Sequence, residues 1–159
     1  MPKHLEKKYR VESFDEIKAK LLKVKAEIQP ASTTLHYYAD QQTDNITKLV
    51  VYPDKSEIHI LKANNGAFSL TDKITVYSEE DGLEWLKKRG FKGTKLVKMT
   101  NLDCQYNGGI VGLYIINDKL LSVILDFPLD QQEGMAELFG MKDKEIINQP
   151  YNKYLETEE

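Results

Sequence analysis

Four side chains that could bind a phosphate group or a metal ion alternate along the segment HLEKKYRV, residues 4–11. They are His4, Glu6, Lys8 and Arg10, and an extended strand would place them on one face because successive side chains point in opposite directions. Lysine and arginine bind phosphate oxygens, and carboxylates are preferred ligands of Mg²⁺. The pattern is also typical of an edge strand whose charges face solvent and discourage aggregation. The segment therefore indicates either the wall of a charged cavity or a solvated strand.

The composition of the 159 residues narrows the range of functions. Hydrophobic residues make up 41% and charged residues 30%, which is typical of one globular domain, here residues 1–159. A net charge of −3 argues against nonspecific nucleic-acid binding. The chain has no apolar run of membrane-spanning length, and MPKHLEKKYR lacks an apolar signal core, so we predict a cytoplasmic protein that is not bound to a membrane. The single Cys104 agrees, because one cysteine cannot form an internal disulfide.

Arginine is scarce in this chain. Arg10 and Arg89 are the only two, and the other basic residues are lysines. Arginine binds phosphate through a rigid fork of donors, whereas lysine acts as a flexible point charge. A phosphate site in this protein must therefore consist mainly of lysines.

Hydrophobic periodicity predicts eight strands and helices at the start, middle and end of the chain. SFDEIKAKLLKVKAEI predicts a helix over residues 14–26 with Ser13 as N-cap and Glu16 completing a capping box. EEDGLEWLKKRG predicts a second helix that ends at Gly90. The strand segments are HLEKKYRV, TTLHYYA, ITKLVVYP, SEIHILKA, AFSLTDKITVYS, TKLVKMTNLDCQY, GIVGLYIIN and LLSVILDF, with breaks at DQQTDN, PDK, NNG, NGG and NDK. Consecutive hairpins of this kind predict an α+β fold built on an eight-stranded antiparallel, tunnel-like β-barrel with helices packed outside.

Three segments carry a resemblance to a known family. HLEKKYRV is similar to an opening strand of pattern E-x-E-x-K, and GLEWLKKRGFKGTKLVKMT is similar to a helix ending in L-x-x-L-G-F before a K-x-R strand. LFGMKDKEIINQPYNKYL is similar to the terminal helix and turn of the same family. Over its whole length the chain thus resembles the CYTH superfamily, the triphosphate tunnel metalloenzymes. Its members include class IV adenylyl cyclases and thiamine, inorganic and RNA triphosphatases.

The resemblance implies a set of site residues. In the family, acidic residues in the tunnel hold one or two divalent metals, Mg²⁺ or Mn²⁺, and basic residues hold a triphosphate. Here His4 stands where the first glutamate belongs, and Tyr114 takes the place of an aspartate. Two acids, Glu6 and Asp126, correspond to metal ligands and could hold a single metal. The implied phosphate-binding residues are Lys8, Arg10, Lys48, Lys62 and Lys98.

The basic residues of the family pattern are better preserved in this chain than the acidic ones. The sequence therefore favours a protein that binds a nucleotide or another phosphorylated small molecule in a cationic tunnel. The alternatives are a metal-dependent triphosphatase or adenylyl cyclase and a non-catalytic scaffold, and no catalytic residue is assigned. His36 and His59 are interpreted as packed or exposed rather than as metal ligands, and Asp103 and Glu57 as solvent-facing. All assignments of face depend on register, since a shift of one residue reverses a whole strand.

Overall fold

The computed structural model describes residues 4–40, 45–64 and 67–157. The predicted breaks DQQTDN and NNG lie partly outside these residues. None of the helices in the described residues has the length and apolar character that crossing a membrane requires. The strands are β1 (His4–Val11), β2 (Glu27–Ile28), β3 (Ser32–Ala39), β4 (Asn45–Val51), β5 (Ser56–Asn64), β6 (Ala67–Val76), β7 (Thr94–Tyr106), β8 (Gly109–Ile116), β9 (Leu120–Pro128) and β10 (Glu145–Ile147). The helices are α1 (Asp15–Lys23), α2 (Glu79–Lys88), α3 (Leu129–Leu138) and α4 (Tyr151–Thr157).

Eight strands form a ring that is closed by hydrogen bonds. The order around the ring is β1-β6-β5-β4-β3-β7-β8-β9, and β9 pairs back onto β1. This closing pair is antiparallel and runs from His4 opposite Pro128 to Val11 opposite Leu121. β2 adds to β7, and β10 adds to β1. The predicted eight-stranded antiparallel tunnel with helices outside is therefore confirmed, and β1, paired on both sides, is not a free edge.

Three of the helices, α1, α2 and α3, cover the outer face of the ring. Tyr9 and Val11 point outward from β1 and pack against Ile17 and Leu21 of α1. α2 covers β4 and β5, where Leu86 packs against the buried side chains of those strands. α1 ends at Lys23, before the predicted residue 26, because Lys25 adopts a positive φ of 58°. Phe14 rather than Ser13 is its N-cap, whereas Gly90, with φ of 94°, ends α2 as predicted.

A β-bulge divides β6 into two halves that face opposite ways. The pairing with β5 changes from Ile60 opposite Asp72 to Leu61 opposite Leu70, which leaves Thr71 as an extra residue. The Thr71 hydroxyl donates to the Ile60 carbonyl at 2.9 Å. As a result Leu70 points into the ring while Ile74 packs outside, near α2. Leu70 and Ile74 would share one face of a regular strand, and the extra residue at Thr71 separates them because it reverses the alternation.

Helix α4 covers part of the inner face. Tyr151 and Leu155 of α4 pack with inward-facing residues of the ring such as Phe68 and Ile124. The Tyr151 hydroxyl lies 2.7 Å from Ser122 Oγ, and both groups are buried. A terminal helix thus fills one end of the tunnel with aromatic side chains.

Two helical glycines provide a test of how tightly α2 is packed. A Cβ at Gly82 would lie 2.3 Å from Leu49 Cδ1, whereas a Cβ at Gly134 in α3 would meet nothing within 4 Å. Both Gly→Ala changes gain about 1 kcal/mol of helix propensity. Overpacking costs about 1–3 kcal/mol, so G82A should have a lower free energy of unfolding than G134A by about that amount. Urea denaturation of the two variants measures the difference, and equal stabilities would contradict the tight contact with the fully buried Leu49.

Candidate functional site

The ring encloses a cavity of about 150 Å³. Its polar lining comes from β1, β3, β4 and β5, and apolar or aromatic side chains form the remainder. The charged and imidazole side chains that line it are Glu6, Lys8, His36, Lys48 and His59. The other lining residues are Tyr38, Ile46, Tyr52, Leu61, Phe68, Leu70, Met99, Tyr114, Ile124, Pro150 and Tyr151.

The alternating polar side chains of β1 lie in different surroundings. Glu6 and Lys8 line the cavity. His4, at one end of the strand, is largely exposed, and its Nδ1 lies 3.3 Å from Asp126 Oδ1. Arg10, at the other end, donates to the Tyr154 hydroxyl at 3.1 Å and does not line the cavity. The opening motif thus forms part of an inner wall, with only its two central side chains inside the cavity.

Lys8 and Lys48 are held among aromatic rings. Lys8 Nζ lies 3.8 Å from the ring centroid of Phe68 and 4.3 Å from that of Tyr151. Lys48 Nζ lies 5.1 Å from the Tyr38 ring centroid. Such cation–π contacts recover only part of the hydration that a buried ammonium loses. Among the described residues neither lysine has a carboxylate at ion-pair distance.

Burial changes the proton affinity of both lysines. Desolvation, reinforced by the charge of Lys48, lowers the pKa of Lys8 to about 7, although the nearby Glu6 opposes the shift. Desolvation likewise lowers the pKa of Lys48 to about 8 against the effect of Glu6. An anion bound between the two ammonium groups would stabilise their charged forms. The lysines are therefore suited to binding a negatively charged ligand.

Three carboxylates lie on the inner face towards the His4 end of β1. Glu6 and Asp126 are directly opposite each other on β1 and β9. Desolvation is the main cause that raises the pKa of Glu6, and the charges of Asp126 and Asp103 add to the rise. Burial also raises the pKa values of Asp103 and Asp126. This end of the cavity thus resists additional negative charge.

Glu57 and Asp103, which the sequence analysis interpreted as solvent-facing, are not exposed. Only 5% of Glu57 is accessible, and its Oε1 lies 3.1 Å from His59 Nε2. Asp103 is half-buried, and its Oδ1 has no hydrogen-bond partner among the described residues. The prediction of solvent-facing positions is wrong because both strands belong to a closed ring whose inner face excludes most water.

The carboxylates at this end of the cavity are potential ligands for a divalent metal. Glu6 and Asp126 could each offer oxygen atoms to one ion, and hard cations such as Mg²⁺ prefer such ligands. Among the described residues, however, no group of three or more His, Cys, Asp or Glu side chains is arranged to hold a metal ion. The residues present therefore do not fit a complete metal centre, and we derive no chemical step through one.

Two histidines, His36 and His59, also line the cavity wall. His36 is 7% exposed, its Nε2 lies 2.8 Å from Thr34 Oγ1, and its Nδ1 has no partner among the described residues. Desolvation, together with the charges of Lys48, His59 and Lys8, places the pKa of His36 well below its ordinary value. His36 is therefore neutral at pH 7. Its two-residue spacing from Tyr38 was the available signal, since both side chains enter the cavity.

Two of the five predicted phosphate-binding residues lie on the opposite face of their strands. Lys62 on β5 is exposed, whereas its neighbour Leu61 and also His59 line the cavity. Lys98 on β7 pairs with Asp118 at 3.2 Å, and its neighbour Met99 lines the cavity. Of the predicted cations, the structure brings Lys8 and Lys48 together in the cavity.

Comparisons with solved structures identify the fold. The chain is similar to the PH1012 protein of Pyrococcus horikoshii, with a TM-score of 0.80, 19% identity, and coverage of 93% of this chain and 96% of that one. A putative adenylate cyclase from Vibrio parahaemolyticus matches with a TM-score of 0.70 and 12% identity over 98% of this chain and 99% of the other. The fold is that of the CYTH superfamily.

A third CYTH-type neighbour is a putative adenylyl cyclase from Hippeastrum that is described as having a dominant triphosphatase activity. It has a TM-score of 0.66 and 9% identity, and the match covers 98% of this chain and 96% of that one. No protein-family model matches this chain, and no curated protein does so. The sequence-based recognition of the CYTH fold is confirmed.

Proposed function

We propose that this protein binds a nucleotide or another phosphorylated small molecule inside its tunnel without a metal ion. Lys8 and Lys48 are the phosphate-binding residues. The observation that carries the proposal is the pair of desolvated ammonium groups, of the buried Lys8 and the half-buried Lys48, which line one cavity without carboxylate partners at ion-pair distance among the described residues. Removing an ammonium ion from water costs several kcal/mol unless an opposite charge compensates it, and a bound phosphate provides that charge.

The solved neighbours support a phosphorylated ligand over other anions. The Vibrio protein is described as a putative adenylate cyclase and the Hippeastrum protein as a triphosphatase, so both descriptions concern phosphate compounds. This chain shares their fold and has basic side chains in the tunnel. Among the described residues, no three acidic, histidine or cysteine side chains are arranged to hold a metal ion, which supports a site that works without one.

A thermal-shift experiment with and without metal tests the proposal. The ligands are phenyl phosphate, ATP, GTP, thiamine triphosphate, tripolyphosphate and cyclic nucleotides, each with Mg²⁺, with Mn²⁺ and with EDTA. A ligand at a hundredfold excess over its Kd adds about 2.7 kcal/mol of stability, or about 5–11 °C in Tm for a domain of this size. We expect at least one phosphorylated ligand to raise the Tm equally in EDTA. No shift with any of them would overturn the proposal and favour a scaffold.

The second candidate is a metal-dependent triphosphatase or adenylyl cyclase. The observation that favours it is the direct opposition of Glu6 and Asp126 across β1 and β9. Its signature is a Tm shift that requires Mg²⁺ or Mn²⁺, together with metal-dependent release of phosphate or formation of a cyclic nucleotide. E6Q and D126N should then abolish turnover. A wild-type protein without turnover that binds ligand in EDTA excludes this candidate.

A further inference from the structure

The charge of the cavity wall limits the charge of its ligand. The lining contains two cations, Lys8 and Lys48, and one carboxylate, Glu6. His36 is neutral at pH 7, and burial also lowers the pKa of His59. When both lysines are protonated, as a bound anion favours, the wall carries a net charge of about +1, or about +2 if Glu6 is protonated as well, which its raised pKa makes easier.

The lining tyrosines add no negative charge, because burial keeps their hydroxyls protonated. It raises the pKa of Tyr52 to about 12 and the pKa values of Tyr38 and Tyr114 well above the ordinary value. Beyond the lining, Asp103 and Asp126 oppose negative charge near Glu6. Two charges on a ligand can be balanced here, whereas a triphosphate brings several more that have no partner.

The size of the cavity gives the same limit independently. Its volume is about 150 Å³. Pockets that enclose drug-sized ligands measure about 300–1,000 Å³. A nucleoside triphosphate is too large to be enclosed, whereas a single phosphate group with a small organic substituent is of suitable size.

The rest of the wall suits an apolar substituent. Phe68, Leu70, Met99 and Ile124 line the cavity around the cations. His36 provides one further polar contact: in the tautomer with hydrogen on Nδ1, the Thr34 hydroxyl donates to Nε2 and Nδ1 is free to donate to a ligand. Two ammonium groups and one imidazole N–H match the terminal oxygens of one phosphate.

We infer that the ligand is a phosphomonoester, with one terminal phosphate held by Lys8, Lys48 and His36 and a small, mainly apolar substituent against Phe68 and Leu70. This inference rests on the proposed function, which requires only a phosphorylated ligand. It narrows that class to compounds with a single phosphate and a substituent smaller than a nucleoside.

Calorimetry of the full chain at pH 7 in EDTA tests the inference with four probes. These are phenyl phosphate, orthophosphate, tripolyphosphate and benzoate, which has a comparable ring but a carboxylate head group. We expect phenyl phosphate to bind at least about tenfold more tightly than each of the other three. Tripolyphosphate binding as tightly as phenyl phosphate would overturn the inference and leave the proposed function intact. Equal binding of benzoate would overturn the phosphate assignment. If none of the three phosphorylated probes binds, and ATP gives no thermal shift either, both proposals are overturned.

One variant distinguishes the contacts made by the substituent from those made by the phosphate. Leu70 is 44% exposed although it lines the cavity, so L70A should fold normally. It should weaken phenyl phosphate binding about tenfold, because removing an apolar contact from a ligand pocket has an effect of that size. Orthophosphate binding should not change. An equal loss of affinity for both probes would contradict the position of the substituent. The matched control is K7M, a change on the outer face of β1.

Discussion

Replacing Lys48 by methionine is expected to weaken the binding of phosphorylated ligands at least about thirtyfold and to stabilise the fold. Lys48 is half-buried in the cavity wall, and desolvation lowers its pKa to about 8, so its charge destabilises the ligand-free protein. Methionine preserves most of the side-chain length and requires no hydration. Truncating one member of a buried charge pair typically costs about 2–5 kcal/mol of binding free energy, which is at least about a thirtyfold loss of affinity. Removal of the charge should raise the free energy of unfolding by at least about 1 kcal/mol.

The measurements are calorimetric titration with the ligand found by thermal shift and urea denaturation without ligand. K7M is the matched control, since Lys7 lies next to Lys8 on the same strand but points outward. It should leave both binding and stability within about 0.5 kcal/mol of the wild type. If K48M binds like the wild type, Lys48 does not contact the ligand. If K48M is strongly destabilised, the lysine has a structural role that the cavity geometry does not explain.

The ligand-free protein is expected to become more stable as the pH rises from about 7 to about 10. The folded-state pKa values of Lys8 and Lys48 are about 7 and about 8, both below the ordinary lysine value of 10.5. Over this range the unfolded chain binds more protons than the folded protein, so the free energy of unfolding increases with pH. Each pKa unit corresponds to about 1.4 kcal/mol, and the two lysines together should contribute several kcal/mol.

Other groups around the cavity set the limits of this range. Glu6 acts in the opposite direction between its ordinary pKa and its raised one, and His36 and His59 titrate at lower pH. Above about pH 10 the raised pKa values of the buried tyrosines reverse the trend, since unfolded tyrosines ionise first. Urea midpoints measured at several pH values should rise in the wild type and stay flat in the double variant K8M/K48M. A flat wild-type profile would contradict the burial of both ammonium groups.

Ligand affinity should follow the opposite trend. A phosphate binds the protonated lysines, so its affinity should fall as the pH passes through about 7 and about 8. Opposite trends for ligand-free stability and affinity are difficult to obtain from surface lysines, whose pKa values lie near 10.4. The two profiles together therefore report on the charge state of the cavity.

The sequence by itself determined the alternation of the first strand, the first two helices and the hairpins between consecutive strands. Strict alternation in HLEKKYRV placed His4, Glu6, Lys8 and Arg10 on one face, and Tyr9 and Val11 opposite. The first two helices were predicted because their periodicity and end signals are local. Hairpin connections were short enough to determine which strands are neighbours for most of the ring. These features depend on residues close together in the chain.

Only the tertiary structure decided which lysines enter the cavity. Lys62 and Lys98 lie on the outer face while their neighbours Leu61 and Met99 point inward, and a difference of one residue decides between these outcomes. The bulge at Thr71 reverses β6 without a clear signal in the sequence. The low pKa of Lys8 depends on its burial, and Tyr151, one of the two rings that enclose its ammonium group, comes from a helix at the far end of the chain. Register, bulges and desolvation arise from packing between distant segments, and local sequence patterns do not specify them.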